Sequence, residues 1–152
     1  MRAIVYRLPA LILLTSCSAL AQNDDKCYDG AKTQSEINAC ASGAYARADR
    51  KLNEVYEAIL RRYSEDATFL GKLREAQRSW LKFRDAELQA LYPEDDKLAN
   101  YGSVWPMCSS QHLTSLTEDR IKQLETWLDS SNEEDVCAGS RRGASLKPKE
   151  RR

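Results

Sequence analysis

A chain of 152 residues with 30% charged residues, six glycines and four prolines has room for one domain with a sizeable core. Its composition favours helices over a β-sandwich. The formal charge is zero, yet residues 22–140 hold 15 Lys and Arg against 22 Asp and Glu, and residues 141–152 hold six Lys and Arg against one Glu. An acidic body carrying −7 therefore precedes a basic tail carrying +5, which argues against nucleic acid as a partner.

Met1 to Ala21 reads as an export signal, not as folded structure. Arg2 and Arg7 form its positive start, Leu8 to Leu14 its short apolar run, and Ala19-Leu20-Ala21 a signal-peptidase site. That run is far too short to span a bilayer. A second route competes: Leu14-Thr15-Ser16-Cys17 has the form of a bacterial lipobox, which would end the signal at residue 16 and make Cys17 a lipid anchor in an outer-membrane lipoprotein. Both routes leave Cys27, Cys40, Cys108 and Cys137 in the periplasm or cell envelope, where disulfides persist. The remainder divides into a helical domain, 22–130, and a tail, 131–152.

Residues 22–32 are polar and expected to be extended as far as Cys27. Thr33 with Glu36 three residues on is a capping box. Ile37, Cys40, Ala41, Ala44, Tyr45, Ala48, Leu52, Val55, Tyr56, Ile59, Leu60 and Tyr63 follow at helical spacing. They predict a helix of about eight turns. After a short polar break, 64–68, a second helix runs from Asp66 or Thr68 to Leu91, closed by Pro93. So short a connection makes the two antiparallel neighbours. Within the second helix, the stretch from Gln77 to Asp85 reads as one face pressed on a core, which places Trp80 and Phe83 inside.

Tyr92 to Pro106 reads as one long irregular loop. A third helix is expected from about Ser109 to Leu128 or Ser130, on Leu113, Leu116, Ile121, Leu124, Trp127 and Leu128. The basic tail after it reads as disordered. The fold expected is all-α: a three-helix bundle with long antiparallel first and second helices, a signal segment before it and a disordered tail behind.

Catalytic chemistry lacks its parts. His112 is the only histidine and has no Ser or Cys nucleophile motif beside it. The cysteines lack zinc-ligand spacing, and Glu94-Asp95-Asp96 lacks the spacing and glycine of an EF-hand. Asp85 and Glu87, two apart on a helix, point in different directions. No catalytic residue, metal or cofactor is expected. Instead Asp49 and Asn53 on the first helix, Gln77, Arg84 and Asp85 on the second, and Thr117 and Arg120 on the third are expected to link as a polar network that fixes helix register.

The ordered series Cys27, Thr33, Glu36, Cys40, Ala48-Asp49-x-x-Leu52-Asn53-x-x-Tyr56, Gln77-x-x-Trp80-x-x-x-Arg84-Asp85, Gly102-Ser103, Cys108 and Thr117-x-x-Arg120-x-x-x-Leu124 resembles the lysozyme inhibitor LprI-like family of small bacterial envelope proteins. The resemblance covers residues 27–128 and implies an all-helical, secreted, non-enzymatic module. One departure stands out: the family commonly has a cysteine four residues after the Arg of its Arg-Asp pair, where this chain has Leu88. By distance from the turn, Leu88 would face Cys40. One intramolecular disulfide among Cys27, Cys40 and Cys108 is expected. Cys137 would be free or intermolecular, because a third helix about 33 Å long is more than seven residues spanning about 25 Å can retrace to Cys108.

The family's implied partner is a lysozyme, and a basic protein suits an acidic body. The loop supplies the expected contact surface: Glu94, Asp95 and Asp96 beside Tyr101 and Trp105, with Gly102 and Ser103 allowing close approach. Trp105 and Pro106 would otherwise seal the bundle end. The alternative is a structural or stress-related helical envelope module with a different partner.

Overall fold

The computed structural model describes residues 26–129 and 135–144; the expected signal segment, Cys17 and the final basic residues lie outside them. Five α-helices and a closing 3-10 turn make up the described chain, with no strand among them. Residues 26–30 form a short helix, α1, where an extended segment was expected. It is tied down by a disulfide from Cys27 to Cys40, with the two Cα atoms 5.7 Å apart. Cys108 and Cys137 are free, the first half-buried and the second exposed.

Helix α2 spans Gln34–Arg62 and opens on the capping box read from the sequence: Glu36 N–H donates to Thr33 Oγ1, and the Glu36 carboxylate accepts from Thr33 N and Lys32 N. Those backbone bonds hold the Glu36 pKa below its ordinary value. Helix α3 spans Ala67–Leu91 and starts on Asp66, which accepts from Phe69 N. The expected loop is not continuous: Lys97–Tyr101 form α4, capped by Asp96 and closed by Gly102 in the left-handed region at φ 70°. Helix α5 spans Trp105–Glu125, four residues earlier than expected, because Pro106 sits in its first turn, where a missing N–H costs nothing.

The closest pair is α2 and α5, not the hairpin neighbours α2 and α3. Asn38 Nδ2 donates to Ser103 O at one end and Tyr63 Oη to Trp127 O at the other, so α2 and α5 run parallel. Ala41 and Ala48 on α2, and Ser109 and Thr117 on α5, are buried and small enough for close approach. Larger side chains hold α3 further off. Leu70 and Leu73 join Leu52, Val55, Ile59, Ile121 and Leu124 in the core, and Tyr63, Phe69 and Trp127 stack at its closed end with centroids 4.5–6.2 Å apart.

The inward face of α3 corrects the sequence reading. It follows Leu70, Leu73, Gln77, Trp80, Arg84 and Leu88, with Trp80 only half-buried. Leu81 and Phe83 fall off that line and are 36% and 50% exposed. Polar Gln77 and Arg84 occupy positions where apolar residues would mark a core stripe. The chain after Ser130 also holds more structure than expected: Gly139–Ala144 form a 3-10 turn, Ala138 is buried, and Arg141 lies over the Trp127 ring at 5.7 Å.

Thr117 is fully buried and its hydroxyl has no hydrogen-bond partner. A buried hydroxyl left unpaired is destabilising. Thr117→Val should therefore raise stability by about 1 kcal/mol, measured by urea unfolding; a loss would show that the hydroxyl is satisfied.

Candidate functional site

Two polar assemblies stand out, one along the α2–α3–α5 seam and one at the open end of the helices. In the seam, Arg84 Nη2 pairs with Asp85 at 2.8 Å and Nη1 approaches Asp49 at 3.8 Å, with the Arg84 side chain only 13% exposed. Asn53 Nδ2 donates to the other Asp49 oxygen at 3.3 Å. Arg120 Nε donates to Gln77 Oε1 at 3.1 Å, and burial lowers the Arg120 pKa. Trp80 lies between the two cations, 5.5 Å from Arg84 and 5.9 Å from Arg120, and Arg84 also faces the Tyr45 ring at 5.9 Å. The structure thus brings six of the seven expected network residues into two linked clusters around one indole ring. Thr117 is the exception. It is fully buried, and its hydroxyl has no hydrogen-bond partner.

At the open end, α4 converts the loop into a fixed knuckle. Asp96 accepts from Ala99 N and its carbonyl from Asn100 Nδ2. The Lys97 ammonium donates to the carbonyls of Tyr92 and Glu94, and Glu94 N donates to Tyr101 Oη. Tyr92 packs edge-on against Tyr101 at 5.0 Å and Trp105 at 6.4 Å. Burial, followed by the neighbouring Cys108 thiol, pushes the Tyr92 pKa up.

The expected contact residues separate by position. Glu94, Asp95, Asp96, Gly102 and Ser103 are exposed, whereas Tyr101 and Trp105 are half-buried. Trp105 Nε1 is buried without a partner, so this ring serves mainly the end packing. Asp96 has a structural duty as the α4 cap. Leu98 on α4, 62% exposed, and Val104 at the start of α5, 42% exposed, extend the acidic surface and were not expected from the sequence, which shows neither α4 nor the early start of α5. His112 is half-buried with Nε2 unpartnered. Among the described residues, no group of three or more His, Cys, Asp or Glu side chains could hold a metal ion. No helix among them is long and apolar enough to cross a membrane.

The described residues thus form a small, disulfide-tied helical domain with a polar seam and an acidic knuckle. Residues 25–124 match the model of the family described as lysozyme inhibitor LprI, and the chain belongs to that family. It is a family of inhibitors, not of enzymes. The chain is also similar to an uncharacterized protein of Rhizobium meliloti (strain 1021), 32% identical over 137 residues, covering 81% of this chain and 95% of that one. No solved structure matches it.

Proposed function

We propose that this protein is exported to the cell envelope and inhibits lysozyme by offering the knuckle from Glu94 to Val104 to a basic partner. Family membership carries the reading. The knuckle supports it: exposed carboxylates of Glu94 and Asp95 beside exposed Leu98 and Val104, held in one conformation by α4. Acidic groups at the rim speed encounter with a basic protein, and fixed apolar residues contribute contact area without an ordering cost. The Cys27–Cys40 bond suits an oxidising compartment.

A turbidity assay of lysozyme action tests this. The mature protein should suppress lysis at low salt and less so as ionic strength rises. Glu94→Gln with Asp95→Asn should weaken inhibition about 10-fold, the scale of one to two kcal/mol of lost complementarity. Undiminished lysis under excess protein would sink the proposal and leave a helical envelope module with a different partner.

A further inference from the structure

A groove of about 270 Å³ opens between α2 and α3, away from the knuckle, and its lining includes Asp49, Tyr56, Arg74, Gln77, Arg78 and Leu81. Arg74, Gln77 and Arg78 stand on one turn of α3. Gln77 is only 9% exposed. Its Oε1 accepts from Arg120, which fixes the amide so that Nε2 is the group left over, and that nitrogen donates to nothing among the described residues. Arg74 and Arg78 are exposed and likewise have no ion pair or hydrogen bond among those residues. One wall therefore presents two guanidinium groups flanking a buried amide donor, all unpaired. The opposite wall presents the Asp49 carboxylate and the Tyr56 ring.

We propose that this groove binds a small hydroxylated carboxylate, an acidic sugar unit, with its carboxylate on Arg74, Gln77 and Arg78. Planar guanidinium donors match the two oxygens of a carboxylate, and an amide N–H₂ between them adds a third donor. Asp49 across the groove accepts hydrogen bonds from ligand hydroxyls and repels a second negative charge, which favours a singly charged sugar acid over phosphate. Tyr56 and Leu81 provide apolar surface for a ring. The volume suits one ring and not a long chain.

The experiment is an NMR titration of the full mature, disulfide-bonded protein, following the Gln77 side-chain amide and the arginine Nε–H resonances. Glucuronate should shift them saturably, acetate should bind about 10-fold more weakly for want of hydroxyls, and glucose should not saturate. Arg74→Gln with Arg78→Gln should weaken glucuronate at least about 10-fold. Gln77→Glu keeps the acceptor for Arg120 and so retains the fold, while replacing the free donor with a repelling oxygen; it too should weaken binding at least about 10-fold. Tighter binding of a glucuronate-containing oligosaccharide would identify a polymer as the source, and equal binding the free sugar acid. Equal affinity for glucose, tighter binding of inorganic phosphate, unimpaired binding by Gln77→Glu, or no saturable shift with glucuronate would each overturn the assignment. The lysozyme assay is independent of every one of these readouts.

Discussion

Ile59→Ala should lower the unfolding free energy by about 3 kcal/mol, within the 2–5 kcal/mol that truncating a buried Ile costs. Phe83→Ala should change it by less than about 1 kcal/mol. Ile59 is fully buried and sits among residues from α2, α3 and α5, so its loss leaves a cavity that no single helix can close. Phe83 is the larger side chain, but half of it already meets water and the inward face of α3 passes through Trp80 and Arg84 instead. Denaturant unfolding of the two variants side by side decides the matter. Equal costs would mean that Phe83 is covered, and that the face assigned to α3 is wrong.

Arg84→Ala should cost about 2–3 kcal/mol, close to the range for truncating one member of a largely buried, hydrogen-bonded charge cluster. Three losses combine. The stem no longer packs against the seam, the cation leaves the Trp80 and Tyr45 rings, and Asp49 loses its partner on α3. Arg84→Lys should recover part of the loss, because an ammonium keeps the charge but not the planar stack. Asp85→Ala should cost under about 1 kcal/mol, since this exposed carboxylate is the sequence neighbour of Arg84 and ties no second helix. A melting curve unchanged by Arg84→Ala would move this residue from the frame of the domain to its binding surface.

The start of α2 is the most legible point in the sequence. Thr33 with Glu36 satisfies specific orphan N–H groups, so residue type alone announces α2, whereas α3 reads as starting at Asp66 or Thr68 and the structure makes Asp66 its cap. The start of α5 was missed for a related reason: Pro106 fits a first helical turn as well as it fits a loop end. Helix α4 is only five residues long, too short to show periodicity, and only its Asp96 cap marks it. The face of α3 was misread because hydrophobicity stood in for direction. A seam that buries Gln77 and Arg84 carries no apolar signature, and the exposed Leu81 and Phe83 imitated one.

Nor does a list of single residues show which of them will meet. In sequence Arg74 and Arg78 are two more surface cations on a charged helix; only the fold sets Asp49 and Tyr56 of α2 across a groove from them. The knuckle acids are legible as a charge cluster, but Leu98 joins that surface through α4 and Val104 through its place as the residue that opens α5.

Because α2 packs closest against α5, its most intimate partner is the last α-helix among the described residues. The contacts that join them, Asn38 with Ser103 and Tyr63 with Trp127, are separated by 65 and 64 positions along the chain. Until α5 has left the ribosome, the nascent chain has nothing to cover the groove of small residues along α2, and a hairpin of α2 and α3 alone exposes much of its core. Such distant pairings slow folding relative to a simple up-and-down arrangement of the same size. A delay of that kind lengthens the time for which the apolar faces of α2 and α3 stay open to other chains.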